Sequence, residues 1–381
     1  MDLSSLEDIR PFYVMEILEK ALKLQSLGRD IVHLEIGEPT ENVDNLIINS
    51  AQNALNNNLD KYTNSFGIES LREKISQYYE KVHHTLVPTD RIMITTGSSA
   101  GIILAILAST SINDEVIVVE PHYPCYPQIL KILGRKPKIF PTFEEDNFQI
   151  NVDKLRSTIS QATTSIIINS PSNPTSVSQN PDVLESVVRM NLNIISDEIY
   201  HGLSFGSKIK SIIEFESKNA FIVNGFSKLY AMTGWRLGYI VIPSDKVRSV
   251  QKLQQNMFIC APTISQYAAV SAYEIKSEVQ KNILKSYMQK RDFALRFLDE
   301  IGIKVNYVPD AAFYILCNFE DYCESSLDLC KDLLDKVGLA IAPGIDFGEN
   351  YKKYVRISYA GSMEELQKGL MLLKEYILKY K

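Results

Sequence analysis

The sequence is poor in cysteine and has no long apolar run. Its five cysteines, in a chain of 381 residues, are sparse and odd in number, which favours reduced thiols and a cytoplasmic location. Cys317, Cys323 and Cys330 do not have the spacing of a zinc site, so we predict no bound metal. There is no stretch of 18 apolar residues and no positive-then-apolar N-terminus, which predicts neither a membrane span nor a signal peptide.

An excess of positive charge is also missing. The formal net charge of −6 argues against a broad basic surface for nucleic acid or for an anionic membrane. An anionic ligand would therefore need a local site. The composition, 45% hydrophobic and 23% charged, is ordinary for a globular protein, and the length suits two domains.

Short apolar runs of strand length begin near residue 91 and recur along the chain. Helical patterns lie between several of them, at 100–109, 124–133 and 181–190. Apolar strands that alternate with helices predict an α/β fold with a mostly parallel sheet flanked by helices. The runs are Ile92–Thr95, Val116–Val119, Ser165–Ile168, Asn193–Ile195, Ala220–Val223 and Leu237–Ile242.

Further helical patterns lie before and after these strands, and the two ends of the chain differ from the central part. Helical spacing runs from Val14 to Leu27 and over 68–82, and later through 245–258 and 264–300. The C-terminal part mixes strands with helices and ends in a helix over 363–380. We predict that both chain ends form a smaller α+β domain. The expected division is an N-terminal segment of the small domain at 1–44, a large domain at 45–280 and the rest of the small domain at 281–381.

Polar segments follow five of the predicted strands. Ligands bind beyond the carboxyl ends of the strands in an open parallel sheet, so these segments predict one shared ligand site. They are Gly97–Ser99, Pro121–Tyr126, Asn169–Thr175, Asp197–Tyr200 and Gly225–Lys228.

Two of these segments contain groups suited to an anionic, heteroaromatic ligand. GSSAG, at 97–101, opens a helix directly after a strand, so backbone N–H groups and the Ser98 and Ser99 hydroxyls can bind a phosphate; a plain turn is the alternative. Asp197 ends a buried strand and needs a cation or donors, such as a protonated ring nitrogen; a structural turn role is the alternative. Tyr200 can turn its hydroxyl to the same ligand or pack in the core.

Two basic residues, Lys228 and Arg236, can add a nucleophile and a phosphate-binding group to this site. Lys228 follows a strand, and a lysine with a lowered pKa near a sheet edge is a usable amine nucleophile and base. A solvated surface lysine is the alternative. Arg236, in TGWRLGY, suits a phosphate clamp or a surface ion pair.

The segment FSKLYAMTGWRLGY resembles the lysine segment of class I/II aminotransferases that depend on pyridoxal 5′-phosphate (PLP), the aspartate aminotransferase fold group of fold type I. The resemblance extends over nearly the whole chain, in the family's order. It implies a large domain with a mostly parallel seven-stranded sheet and a smaller domain. The further matching motifs are IGEPT at 36–40, YTNSFGIESLR at 62–72, TTGSSAG at 95–101, PHYPCY at 121–126, NSPSNPT at 169–175, SDEIYHGL at 196–203 and YVRISYA at 354–360.

The resemblance implies roles for residues around PLP. Lys228 resembles the lysine that forms an imine with the cofactor, and Asp197 resembles the partner of the pyridine nitrogen. Tyr200 and Asn173 look like the groups that bond the ring hydroxyl, and Tyr123 like the ring stacked on the pyridine. The catalytic residues so implied are Lys228, Asp197 and Tyr200, and the phosphate-binding residues are Ser98, Ser99, Ser227 and Arg236.

The resemblance also implies residues for the substrate and for a partner subunit. Arg356 resembles the arginine that binds the substrate α-carboxylate, although a strand-edge ion pair is the alternative for an arginine there. Gly37 matches a glycine whose backbone approaches the substrate. Asn173, already implied to bond the ring hydroxyl, is also expected to bind the substrate. Tyr62 matches a tyrosine that reaches the phosphate of the neighbouring subunit, which implies a homodimer.

Two positions depart from the family pattern. The family often has Ser or Thr at the position of Gly225, so one phosphate hydroxyl is missing here. The NPT motif is often followed by Gly, and here Ser176 follows it, so that turn can differ.

The implied activity is transfer of an amino group from an L-amino acid to a 2-oxo acid, with 2-oxoglutarate as the expected acceptor and ping-pong kinetics. The same residues would serve a PLP-dependent lyase or decarboxylase. A PLP-binding regulator is a third alternative, which the negative net charge disfavours. The motifs do not indicate which side chain the amino donor has.

Overall fold

The computed structural model describes residues 7–206 and 209–380, and its centre is a seven-stranded sheet. The strand order is β2-β8-β7-β6-β5-β3-β4, and all neighbours are parallel except β8, which is antiparallel to β2 and β7. The predicted α/β class and mostly parallel sheet are confirmed. The strands are β2 (Ile92–Thr95), β3 (Glu115–Glu120), β4 (Lys136–Pro141), β5 (Thr163–Asn169), β6 (Asn193–Asp197), β7 (Ala220–Gly225) and β8 (Gly238–Val241).

The central strands are buried because helices cover both faces of the sheet. Every residue of β2, β7 and β8 is buried, which explains their unbroken apolar runs. Alternate residues point to opposite faces: Ile194 packs into one hydrophobic cluster, and Ile195 packs into another.

The strand β4 was missing from the sequence prediction. It lies at the edge of the sheet, paired only with β3 among the named strands, and Phe140 is its one buried residue. An edge strand with exposed lysines and two prolines lacks the apolar run that marks a central strand.

Twelve α-helices are described. The prediction of helical structure throughout 264–300 was wrong, because α9 ends at Val270, a 3-10 helix spans Ser271–Glu274, and the backbone is extended at Ile275 and Lys276 before α10. The helices are α1 (Tyr13–Ser26), α2 (Asn45–Asn56), α3 (Glu69–His83), α4 (Gly97–Ser109), α5 (Cys125–Ile132), α6 (Val152–Thr158), α7 (Pro181–Val188), α8 (Val247–Met257), α9 (Thr263–Val270), α10 (Ser277–Glu300), α11 (Ser326–Val337) and α12 (Met363–Tyr380).

The two ends of the described chain pack together. β1 (Val32–His33) pairs with β10 (Leu339–Ala340), and β11 (Ala342–Pro343), β12 (Tyr354–Ser358) and β9 (Tyr314–Asn318) form a three-stranded antiparallel sheet. One hydrophobic cluster contains side chains from α1, β1, β9, β12 and α12. The division at residues 44 and 280 stays a prediction.

Within 7–206 and 209–380, none of the helices combines the length and apolar character needed to span a bilayer.

Candidate active site

A cavity of about 290 Å³ lies at the carboxyl ends of the central strands. Its walls come from the N-terminal segment, the start of α4, the segments after β5, β6 and β7, and strands β9 and β12. All but one of the residues predicted for the site line it: Gly37, Ser98, Ser99, Tyr123, Asn173, Asp197, Tyr200, Ser227, Lys228, Arg236 and Arg356. The structure therefore brings together groups that are far apart in sequence.

Lys228 is positioned by the turn that follows β7. Its Nζ donates a 2.8 Å hydrogen bond to the Gly37 carbonyl. Burial lowers the pKa of Lys228 to about 8, and the positive charge of Arg356 adds to this effect. Roughly a tenth of this amine is therefore uncharged at pH 7, far more than for a lysine of ordinary pKa, and the uncharged form is the one that acts as a nucleophile or base.

Asp197 is the last residue of β6, and it is buried. The Tyr126 hydroxyl donates a 2.6 Å hydrogen bond to Asp197 Oδ2, and the Ile199 N–H donates to Oδ1 at 3.2 Å. Burial raises the pKa of Asp197 to about 6, against these two hydrogen bonds, which lower it. A cation in the cavity would stabilise the carboxylate further.

The start of α4 and Arg236 form one end of the cavity. Gly97 has φ +72°, and a Cβ on it would lie 2.8 Å from Arg236 Nη2, so only glycine permits this approach. Ser98 and Ser99 follow in the first turn, where free N–H groups and the helix dipole favour an anion. A phosphate fits this donor set.

The packing around Gly225 explains why a serine is missing there. Gly225 is buried in β7, and a Cβ on it would lie 3.1 Å from both the Leu237 carbonyl oxygen and Ile199 Cδ1. A hydroxymethyl group would therefore require the neighbouring strand to shift. Ser98, Ser99, Ser227 and Thr233 are the serine and threonine residues among the described residues that line the cavity.

Arg356, on β12, forms the opposite end. Its side chain is buried, and its Nη1 donates to Asn173 Oδ1 at 2.9 Å while Nη2 donates to the Glu35 carbonyl. Its Nε is buried without a hydrogen-bond partner. A guanidinium with an unused donor suits a carboxylate ligand.

Aromatic rings fix the geometry around Arg356. The guanidinium carbon lies 4.5 Å from the centroid of the Tyr314 ring, on β9, and the Tyr314 and Tyr200 hydroxyls are 3.0 Å apart. A Cβ on Gly37 would lie 1.8 Å from the Tyr314 hydroxyl oxygen. Gly37 is therefore required for the N-terminal segment to reach the cavity.

Ser176, the second departure from the family pattern, keeps a glycine-like backbone. Its φ is +59°, and its Oγ accepts a 2.9 Å hydrogen bond from the Tyr314 N–H. Its carbonyl also accepts hydrogen bonds from the backbone N–H groups of Asp310 and Ala311. These contacts compensate for a conformation that disfavours non-glycine residues.

Tyr62 does not line the cavity. Within one subunit it is 81% exposed.

Sequence reasoning missed Tyr126 and Tyr314. Tyr126 lies in the PHYPCY motif three residues after Tyr123, and its spacing on α5 could have indicated that both face the same ligand. Tyr314 has no such marker, because it reaches the cavity only through the pairing of β9 with β12.

Comparison with known proteins identifies the family. The family model described as aminotransferase class I and II matches residues 29–372. This chain is a class I/II aminotransferase. It is 41% identical over 97% of both chains to a (5-formylfuran-3-yl)methyl phosphate transaminase of Methanocaldococcus jannaschii, and 37% identical over 97% of both chains to a valine–pyruvate aminotransferase of Mycobacterium tuberculosis. A Methanococcus jannaschii structure, described as similar in its active site to kynurenine aminotransferases, matches with a TM-score of 0.91 and 39% identity over 99% of this chain and 100% of its own.

The aminotransferase therefore depends on PLP and transfers an amino group between amino acids and 2-oxo acids. The residues of the cavity fit the cofactor. A helix start whose free N–H groups suit a phosphate, a buried carboxylate and a lysine of lowered pKa line one continuous space.

Proposed function

We propose that the cavity residues perform the roles that the family resemblance implies. Ser98, Ser99, Ser227 and Arg236 would hold the PLP phosphate, and Tyr123 would stack on its ring. Asn173 and Tyr200 would bond the ring hydroxyl. The observation that most strongly supports this proposal is the position of Lys228, Asp197 and Arg356 around one cavity of molecular size.

Lys228 is proposed to be the covalent attachment point and the proton carrier. When bound, PLP supplies an electron sink for charge that develops at the substrate Cα. Lys228 Nζ would accept the proton from the substrate Cα as a general base and, once protonated, would donate it again as a general acid. The pKa of about 8 supports this role, because both protonation states are populated near neutral pH.

Asp197 is proposed to keep the pyridine nitrogen protonated. A buried carboxylate stabilises a nearby cation strongly because little solvent screens the pair. The Tyr126 hydroxyl holds one carboxylate oxygen, which leaves the group oriented towards the cavity. In turn, the cation would stabilise the charged form of Asp197.

Arg356 is proposed to bind the substrate α-carboxylate. Asn173 and the Glu35 carbonyl hold the guanidinium, and the Tyr314 ring packs against it, so its orientation is set before the substrate arrives. Nη1 and Nη2 each keep a second N–H, and these are proposed to bind the two carboxylate oxygens.

The exposure of Tyr62 supports a homodimer in which this hydroxyl reaches the phosphate in the partner subunit. A fully active monomer would contradict that role.

Two further expectations from the sequence are also proposed. The domains are divided at residues 44 and 280, and the protein is located in the cytoplasm. The free, buried thiols of Cys317 and Cys330 support the second of these.

The reaction is proposed to follow ping-pong kinetics, with one 2-oxo acid leaving before the next binds. Initial rates with varied donor and acceptor should give parallel double-reciprocal lines, and glutamate should form when 2-oxoglutarate is the acceptor. Release of ammonia or carbon dioxide without amino transfer would favour the lyase or decarboxylase alternative.

A further inference from the structure

The start of α1 and Ile36 form a part of the cavity wall, on the side proposed to hold the substrate. Phe12, Val14, Met15 and Ile36, called here the N-terminal wall, all line the cavity and are all apolar. Phe12 packs edge-on against Tyr123, with 6.0 Å between the ring centroids. The wall is therefore continuous with the aromatic surface proposed to stack on the cofactor.

A buried carboxylate fixes this wall in place. Asp346 accepts hydrogen bonds from the Tyr13 N–H at 3.1 Å and from the Val14 N–H at 2.8 Å. These are free donors of the first turn of α1, so Asp346 neutralises the positive end of the helix. The helix start is thus unavailable as a binding site for a substrate carboxylate.

Within one subunit, the charged residues that line the cavity also disfavour a second substrate carboxylate. Among the described residues that line it, the basic ones are Lys228, Arg236 and Arg356, each of which already has a proposed role. Arg10, the arginine nearest to the wall in sequence, pairs with Glu349 and does not line the cavity. The acidic Glu38 does line it, and it accepts a hydrogen bond from the Thr233 hydroxyl.

We propose that the N-terminal wall binds the side chain of the amino acid, and that the preferred substrates have an uncharged aliphatic or aromatic side chain. The inference rests on the proposed role of Arg356, because the α-carboxylate held there directs the side chain along the wall. Apolar contact with the wall favours such substrates, and Glu38 opposes a distal carboxylate. The N-terminal wall also contacts the side chain of the 2-oxo acid that accepts the amino group. We therefore expect 2-oxoglutarate to react more slowly than an apolar 2-oxo acid.

The test is a stopped-flow half-reaction of the holoenzyme with single amino acids. The rate at which the lysine-bound cofactor band disappears gives kcat/KM for each donor. We expect phenylalanine and leucine to exceed aspartate and glutamate by at least about tenfold, the size of a modest difference in side-chain burial. Equal values, or faster reaction of the dicarboxylic acids, would overturn the proposal.

A charge placed on the wall should reverse the preference. Met15 is 41% exposed, so Met15→Arg can be accommodated at the surface, and we expect it to raise kcat/KM for aspartate at least about fivefold and to lower it for phenylalanine. Leu22→Arg, on the same helix but outside the cavity, is the matched control and should change neither. Glu38→Gln should reduce the ratio of kcat/KM for phenylalanine to kcat/KM for aspartate by about threefold. A Met15→Arg enzyme with the wild-type ratio would contradict the role of the wall.

Binding without turnover separates this inference from the catalytic roles. Amino acids with a methyl group in place of the Cα hydrogen bind but cannot lose the Cα proton, so their spectral titrations report affinity alone. Tighter binding of 2-methylphenylalanine than of 2-methylaspartate would support the wall even if Lys228 were not the proton carrier. The opposite order would overturn the inference while leaving the proposed proton transfer intact.

Discussion

The two ends of the cavity are built differently. The cofactor end is formed by short segments at the carboxyl ends of the parallel strands and by the start of α4. Gly97 and Gly225 permit close packing there. The substrate end joins the N-terminal segment to β9 and β12, through contacts such as Arg356 to the Glu35 carbonyl. In the proposed roles, residues at the sheet carry out the proton transfer and bind the cofactor, and residues from the two chain ends bind the substrate. Changes at the first end should affect every substrate and the cofactor spectrum, whereas changes at the second that keep its charge should affect substrates alone.

The largest effect is expected from Lys228→Ala. Loss of the amine removes both the attachment point and the proton carrier, so kcat should fall by about 10⁴-fold, and the band of the lysine-bound cofactor should disappear. Absorbance spectra and steady-state rates measure both. Lys246→Ala, at a surface lysine, is the control and should behave as wild type. A wild-type rate in Lys228→Ala would end this account of the mechanism.

Asp197→Asn tests the electrostatic part of the cofactor end. The neutral amide cannot stabilise a protonated ring nitrogen, so kcat should fall by about 10²- to 10³-fold for all donors, with a changed cofactor spectrum. Asp245→Asn, at an exposed carboxylate, provides the matched control. An unchanged half-reaction rate would show that the carboxylate is only structural.

Arg356→Lys should separate the two ends. Lysine cannot form a two-point contact with a carboxylate, so kcat/KM should fall by about 30- to 100-fold for every amino acid, while the cofactor spectrum stays unchanged. Arg248→Lys, in an exposed part of α8, serves as the control. An effect confined to one substrate would argue against α-carboxylate binding.

Tyr126→Phe should produce a smaller effect at the cofactor end. The change removes the 2.6 Å hydrogen bond to Asp197 and leaves the ring packing intact. We expect kcat to fall by about five- to tenfold, with equal effects on apolar and acidic donors. A change in the ratio between donors would place Tyr126 with the substrate end.

The smallest expected effect concerns the pH dependence of the rate at which the cofactor binds to Lys228. The uncharged form of Lys228 is the nucleophile, and its fraction rises as the pH increases through the pKa of about 8. The rate at which apoenzyme forms the lysine-bound band should therefore rise with a midpoint near pH 8. Arg356→Gln should move the midpoint to higher pH, because the guanidinium charge lowers the pKa of Lys228. A wild-type midpoint near the ordinary lysine value would contradict the burial argument.

The sequence predicted the cofactor end better than the substrate end, for a physical reason. Asp197 ends a buried strand, and Lys228 lies three residues after the end of another. Because the carboxyl ends of parallel strands meet at one edge, local pattern and topology suffice to place both residues. Tyr314, Asp346 and the N-terminal wall depend on strand pairing and helix packing between distant segments, which no local pattern encodes. The edge strand β4 was missed because its sides are partly exposed. Arg356 was found only through the family motif YVRISYA.

The central claim is that Lys228 binds the cofactor covalently. Reduction of the holoenzyme with borohydride, followed by proteolysis and mass spectrometry, identifies the modified lysine directly. The account predicts that the reduced cofactor is attached to the peptide that contains Lys228, and that prior incubation with an amino donor prevents this labelling. Attachment to another lysine, or labelling that the donor does not reduce, would contradict it.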